Sequence, residues 1–145
     1  MANDLKYFSL LEKIAKDVPA SAHNRIVPRA RLAACIVYRN EIVSFGINQL
    51  KSHPFQAKFS KNKEAIYLHA ETNALTKARK RLTMDEFANS SLYVCRIKYS
   101  NTLRKHTVWG LSKPCDGCIR AAAAFNIKKV CYTCDDGGYE VLLRK

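Results

Sequence analysis

The chain has 145 residues, 48% of them hydrophobic, with a formal net charge of +13 at pH 7 and an isoelectric point near 9.7. That length supports one core and no Pro/Gly/Ser-rich linker divides it, so we expect a single domain over residues 1–145. No apolar run approaches the roughly 20 residues of a membrane span, and the N-terminus lacks a signal peptide's apolar block. This argues against a membrane protein and predicts a cytoplasmic location, where the six cysteines would be metal ligands and buried thiols.

The periodicity of apolar residues predicts alternating helices and strands. In chain order, these are a helix over 3–17, strands over 31–39 and 41–47, a helix over 69–81, a strand over 91–98, a helix over 115–125, and strands over 127–132 and 139–143. Long loops are predicted over 49–67 and 99–113. The alternation indicates an α/β fold with helices on both faces of a sheet.

The last strand is expected to be antiparallel to the strand before it. Only Thr133 to Gly138 separate the two strands, and Asp136-Gly137-Gly138 is typical of a hairpin turn. A parallel connection would need about a dozen residues or more, which this segment does not contain.

Two short motifs carry the predicted chemistry. His69-Ala70-Glu71 opens one predicted helix, and Pro114-Cys115-Asp116-Gly117-Cys118 opens another. One histidine and two cysteines supply three ligands to a tetrahedral zinc, which leaves the fourth position for water, as in catalytic sites. Glu71 remains available to move protons between that water and a leaving amine. The helix dipoles favour the thiolate form of the cysteines.

The two motifs, in this order and after a strand hairpin, resemble the signature of the cytidine deaminase superfamily. The resemblance implies a three-layer α/β/α fold with a mixed sheet of about five strands, a resident Zn²⁺ and hydrolytic deamination. It implies His69, Cys115 and Cys118 as ligands and Glu71 as the catalytic residue. Asn48 is similar to the family's asparagine that contacts the substrate sugar. The substrate contacts expected on this basis are Asn48, Ala70, Lys51, Trp109 and Pro114.

Different parts of the sequence resemble different branches of the superfamily. The short connection before the last strand looks like the nucleoside deaminases, whereas His-Ala-Glu-x-Asn-Ala is similar to the deoxycytidylate deaminase motif.

Charge bears on the substrate, because +13 is more than a small neutral ligand requires and favours a phosphate or a polyanion. Basic residues gather in three clusters: Lys51, Lys58, Lys61 and Lys63; Lys77, Arg79, Lys80 and Arg81; and Arg104, Lys105 and Lys113. The aromatic residues interleaved with the loop clusters are Phe55, Phe59 and Trp109, as in single-strand binding channels. An ordinary solvated surface explains the charge equally well.

Three functions remain open on the sequence alone. The leading one is deamination of cytosine to uracil in a free nucleoside or nucleotide, with a (deoxy)cytidylate-type substrate as first choice. The second is a cytosine or adenine deaminase acting on single-stranded DNA or RNA, and the third is a non-catalytic zinc-stabilised nucleic-acid-binding module. A homo-oligomer is expected. Cys131 and Cys134 form a second Cys-x-x-Cys, which either holds another zinc with His53 or His106 or contributes core thiols.

Overall fold

The computed structural model describes residues 2–16, 31–48, 69–99 and 107–143. The elements are α1 (Ala2–Lys16), β1 (Arg31–Tyr38), β2 (Glu41–Ile47), α2 (Ala70–Ala78), α3 (Met84–Phe87), β3 (Ser91–Tyr99), β4 (Thr107–Gly110), α4 (Asp116–Ala124), β5 (Lys129–Thr133) and β6 (Tyr139–Leu143). Every predicted helix and strand is present, and α3 and β4 are additional. The predicted extension of the second helix to Arg81 is wrong, because α2 ends at Ala78.

The strands form one mixed sheet in the order β2-β1-β3-β5-β6, with β4 also paired to β3. β3 and β5 run parallel, and every other pairing is antiparallel. The antiparallel last strand is therefore confirmed. The sheet has six strands instead of about five, because part of the predicted second loop forms β4.

The sheet is covered on both faces, which confirms the three-layer α/β/α fold. Residues of β1 alternate between the faces, and because both faces are covered the strand is buried on both sides. The cluster beneath α1 contains Tyr7, Phe8, Leu11, Ala15, Ala33, Cys35, Val37, Tyr93, Cys95, Ile97 and Cys131. The cluster beneath α2 and α4 contains Ala34, Ile36, Ala70, Ala74, Leu75, Ala78, Phe87, Leu92, Val94, Ala121, Ala122, Phe125, Ile127 and Tyr132.

β3 changes partner along its length, and two buried hydroxyl residues occupy the junction. β5 pairs with residues 91–94 of β3, and β4 pairs with residues 96–99. The Ser112 hydroxyl is 2.9 Å from the Val94 carbonyl oxygen and 2.9 Å from the Thr133 hydroxyl. The Thr133 hydroxyl donates to the Gly110 carbonyl oxygen at 2.7 Å and accepts from the Arg96 N–H at 3.2 Å. These bonds satisfy backbone groups that the change of partner would leave unpaired.

α3 is a short helix that follows α2 and begins with a capping box. The Thr83 hydroxyl accepts from the Glu86 N–H at 3.2 Å, and the Glu86 carboxylate accepts from the Thr83 N–H at 2.9 Å. No helix among the described residues is both long enough and apolar enough to cross a bilayer. The single-domain organisation, the cytoplasmic location and the homo-oligomeric state stay predictions.

Candidate active site

Two helix N-termini meet at the site. His69 is the N-cap residue of α2 and Cys115 is the N-cap residue of α4, and both have extended backbone angles. Neither side chain caps its own helix, although histidine and cysteine stand where serine, threonine or aspartate is usual. Their donor atoms point toward each other instead.

The donor atoms of His69, Cys115 and Cys118 lie within 4.8 Å of one another. The imidazole Nδ1 is 3.4 Å from the Cys115 sulfur and 3.3 Å from the Cys118 sulfur. In a tetrahedral zinc site, Zn–N of about 2.0 Å and Zn–S of about 2.3 Å separate nitrogen from sulfur by about 3.5 Å. The three residues therefore fit a zinc ion, with Nδ1 as the histidine donor. Among the described residues they are the one such group.

The two thiols differ in acidity. A hydrogen bond with Cys118 lowers the pKa of Cys115 to about 4, although burial opposes this effect. The same bond, together with burial, raises the pKa of Cys118. A hydrogen bond with Cys115 raises the pKa of His69. The environment of the pair thus favours the thiolate form of Cys115 and the protonated form of Cys118, and metal binding would release the Cys118 proton.

Glu71 lies in the first turn of α2, where it is only 4% exposed. Its carboxyl group is hydrogen-bonded to the Cys118 thiol but does not belong to the three-donor group. Burial raises the pKa of Glu71. A buried carboxyl group beside the three donors, but separate from them, is suited to proton transfer.

The start of α2 is fixed against β2 by close contacts. The Ser44 hydroxyl donates to the Ala74 carbonyl oxygen at 2.7 Å, and the buried Asn73 amide donates to the Ile47 carbonyl oxygen at 3.2 Å. Gly46 allows this approach, because a Cβ there would lie 2.3 Å from the Ala70 carbonyl oxygen. β2 thus sets the position of the helix that carries His69 and Glu71.

A sequence profile described as the cytidine and deoxycytidylate deaminase zinc-binding region matches residues 4–134. The chain belongs to this deaminase family. A search of curated proteins finds no significant match.

Solved structures with the same fold include the dCMP deaminase of cyanophage S-TIM5. Its apo form has a TM-score of 0.56 and 24% identity, over 92% of this chain and 85% of that one. Its complex with dCMP and dUMP has a TM-score of 0.51 and 22% identity, over 88% and 77%. Acinetobacter baumannii RibD matches with a TM-score of 0.51 and 19% identity, over 92% of this chain but only 28% of that longer one.

Two of the predicted substrate contacts adjoin the deaminase motifs in the sequence. Ala70 and Pro114 are buried next to His69 and Cys115, respectively. The Asn48 side-chain oxygen accepts from the Leu32 N–H at 3.0 Å, which extends the pairing of β1 with β2 by one residue. Lys51 lies outside the described residues. The substrate roles of these four residues stay predictions.

Trp109 lies elsewhere than predicted. It belongs to β4 and not to a loop, and it is partly buried with the α1 cluster. Its indole N–H donates to the Glu12 carboxylate at 3.1 Å, and its ring centroid is 5.5 Å from that of Phe8. Because α1 and the three-donor group lie on opposite faces of the sheet, Trp109 packs away from the three-donor group. Its contact with substrate stays a prediction.

The two cysteines of the second Cys-x-x-Cys face opposite sides of the sheet, and the histidines predicted to complete a zinc site, His53 and His106, lie outside the described residues. Cys131 lies in β5 and packs in the cluster beneath α1, whereas Cys134 packs against the cluster beneath α2 and α4. Residues three apart along an extended segment face opposite sides. Cys131 is therefore a core thiol.

Arg96 in β3 occupies a core-facing position that the sequence analysis did not single out. It follows Leu92 and Val94 at the alternating positions that face α2 and α4, where an apolar residue is expected. The sequence does show a charged residue at a position of the strand where the alternation calls for an apolar one.

Proposed function

We propose that this chain is a zinc-dependent deaminase that converts cytosine to uracil in a free nucleotide of the (deoxy)cytidylate type. Water replaces the exocyclic amine of the base, which leaves as ammonia. The observation that carries the proposal is the three-donor group of His69, Cys115 and Cys118 with the buried Glu71 beside it. Three ligands and an adjacent carboxyl group are the parts that hydrolytic deamination requires.

His69, Cys115 and Cys118 would hold the zinc ion. When bound, zinc supplies a Lewis acid that makes hydroxide available near neutral pH. Glu71 accepts the proton that water loses and delivers it to the amine that departs. Because burial favours the protonated form of Glu71, the carboxyl group is suited to return the proton after accepting it.

Two observations support a free nucleotide as the substrate. The structurally similar cyanophage enzyme is a dCMP deaminase seen with dCMP and dUMP. The net charge of +13 favours a ligand that carries phosphate. We propose that Asn48 contacts the sugar and that Lys51 contributes to the binding of anionic substrate.

The test is a substrate panel assayed by ammonia release. The purified enzyme is offered cytidine, deoxycytidine, CMP, dCMP, adenosine and a cytosine-containing single strand of DNA or RNA. We expect kcat/KM to be highest for a cytidine monophosphate. Vigorous deamination of the single strand without turnover of any mononucleotide would overturn the nucleotide assignment.

The second candidate is deamination of a base within a single strand, and one cavity favours it. A cavity of about 450 Å³ at the edge of β2 is lined by Phe45, Lys77, Lys80 and Arg81, with further lining from Ile42, Val43 and Ser44. It lies at the C-terminal end of α2, about 13 Å along the helix from His69. Cations beside an exposed aromatic ring suit a nucleic-acid backbone with one stacked base.

Salt dependence separates the two candidates. Contacts with a phosphate backbone lower log affinity by about 0.7 per contact for each tenfold rise in salt. If Lys77→Glu, Lys80→Glu and Arg81→Glu together leave both the affinity for an oligonucleotide and its salt slope unchanged, the cavity does not support the second candidate.

A further inference from the structure

Arg96 has an unusual environment for an arginine. Its Nε atom is buried and has no hydrogen-bond partner among the described residues. Its Nη1 donates to the Leu111 carbonyl oxygen at 3.4 Å, which is long for a hydrogen bond. A buried donor without a partner costs about 1–3 kcal/mol. Such a cost calls for a physical reason.

No ion pair joins Arg96 to Asp135, the carboxylate whose pKa the charge of Arg96 helps to lower. Asp135 accepts from the Lys98 ammonium at 2.8 Å and from the Leu111 N–H at 2.9 Å. These two bonds lower the pKa of Asp135, and the charge of Arg96 adds a smaller effect in the same direction. Asp135 is hydrogen-bonded to Lys98 and interacts with Arg96 only through its charge. The Arg96 guanidinium can therefore bind another anion.

Arg96 lies on the same face of the sheet as the deaminase motifs. It pairs with Leu32 across β1 and β3, and Leu32 packs against the cluster beneath α2 and α4. The Leu32 N–H in turn binds Asn48. Arg96 in β3 is therefore separated by β1 from Asn48, the residue proposed to contact the sugar, which follows β2.

Arg96 also lies near the carboxyl ends of the two parallel strands. β3 and β5 run parallel, and ligands of such sheets bind beyond the carboxyl ends of the strands. Arg96 follows the last residue of β3 that pairs with β5, and its backbone N–H binds Thr133 at the end of β5.

The opposing strand leaves room for the side chain. Gly110 pairs with Arg96, and a Cβ there would lie 3.2 Å from Arg96 Cδ and 3.4 Å from Arg96 Cγ. Glycine therefore lets the arginine stem cross β4 without displacement. The weak bond to Leu111 is the one that a ligand would have to replace.

We propose that Arg96 binds the 5′-phosphate of the nucleotide and thereby sets the preference for nucleotide over nucleoside. This inference rests on the proposed function. A guanidinium offers a planar fork to phosphate, and turning the side chain toward that ligand pairs its unsatisfied Nε. In the substrate the phosphate lies beyond the sugar. Across the sheet, Arg96 lies beyond Asn48 in the same order.

The experiment compares dCMP with deoxycytidine in Arg96→Gln, Arg96→Lys and Lys128→Gln. Lys128 is an exposed cation before β5, at the opposite end of that strand from Thr133, so its variant controls for loss of one charge. For Arg96→Gln we expect KM for dCMP to rise about ten- to a hundredfold, with kcat nearly unchanged and deoxycytidine kinetics within about twofold of wild type. The KM of Arg96→Lys for dCMP should lie between those of wild type and Arg96→Gln. The KM of Lys128→Gln should equal that of wild type.

Binding provides a readout that does not require turnover. Calorimetry should show that Arg96→Gln binds dUMP more weakly than wild type by the same factor by which its KM for dCMP rises. Its affinity for deoxyuridine should be unchanged. Equal losses for both ligands, or no loss for either, would overturn the role of Arg96. If the wild-type enzyme turns over neither substrate, the proposed function fails, and Arg96-dependent binding of dUMP then decides the phosphate site on its own. Melting temperatures identify any variant that is simply unfolded.

Discussion

The Ala70 carbonyl oxygen occupies the space that a side chain at Gly46 would fill, since a Cβ there would lie 2.3 Å from it. The same Cβ would lie 2.5 Å from the Ala74 backbone nitrogen. Both contacts are with backbone, so neither can be relieved by a side-chain rotation. The first turn of α2 therefore rests directly on β2.

Gly46→Ala should destabilise the protein by about 3 kcal/mol and reduce turnover further, because α2 must move away from β2 and carry Glu71 with it. Urea denaturation and steady-state kinetics measure the two effects. Gly138→Ala is the matched control, since the nearest atom to a Cβ there belongs to the Asp136 side chain at 3.3 Å. Equal stability of the two variants would contradict the close approach.

Cys115→Ser should reduce the zinc content of the purified protein to well below one ion per chain and should lower its melting temperature. The reason is that a hydroxyl group is a much poorer zinc ligand than a thiolate. Metal analysis by mass spectrometry and thermal denaturation provide the measurements. Cys134→Ser serves as the control and should keep full zinc. A fully loaded Cys115→Ser protein would remove Cys115 from the ligand set.

Glu71→Gln should keep the zinc and the fold but lose about 10²- to 10⁴-fold in kcat, because the amide can neither accept nor return the proton. The test pairs metal analysis with the ammonia assay at saturating dCMP. Near-normal turnover with full zinc would show that another group moves the proton.

Asp4 joins α1 to the sheet. Burial alone would raise its pKa, but hydrogen bonds from Tyr93, Lys129 and Tyr139 outweigh burial and hold the pKa below the usual 3.8. The Tyr93 and Lys129 bonds are 2.5 Å and 3.1 Å long. A lowered pKa means that this stabilisation is complete well above pH 3.8 and is lost as the pH falls through the folded-state value.

Asp4→Asn should therefore unfold about 1–3 kcal/mol more easily than wild type at pH 7. The difference should shrink as the pH falls below 3.8, where the wild-type carboxylate becomes protonated as well. Denaturation series between pH 3 and pH 7 provide the comparison, with Glu41→Gln as an exposed carboxylate control. A difference that stays constant over that range would mean that the Asp4 charge contributes nothing.

The layered fold could be predicted from the sequence because local patterns determine most of it. The alternation of side chains between the two faces of β1 predicts a strand. The short connection before β6 predicts an antiparallel pairing. The donor group could be predicted because the motifs place His69 and Cys115 at the starts of two helices. That these starts meet in space follows from the sheet order, which no local pattern shows.

The errors arose where pairing between distant segments decides the structure. β4 has only four residues, and it is a strand because residues 96–99 of β3 pair with it. Trp109 therefore packs toward α1 instead of entering a loop near the substrate. α2 stops at Ala78 although good helix formers follow, and the capping box of Thr83 begins a separate helix.

The hydrogen bonds of Ser112 and Thr133 lie between two parts of the chain, the β3–β4 pair and the segment that leads to Cys115. Ser112 is hydrogen-bonded to Val94 and Thr133 only three residues before Cys115, so the segment that leads to Cys115 starts from a fixed point on the sheet. The β3–β4 hairpin leaves and returns on the far side of that point. A change in the length of the chain between β3 and β4 would therefore leave the spacing from Ser112 to Cys115 and Cys118 the same.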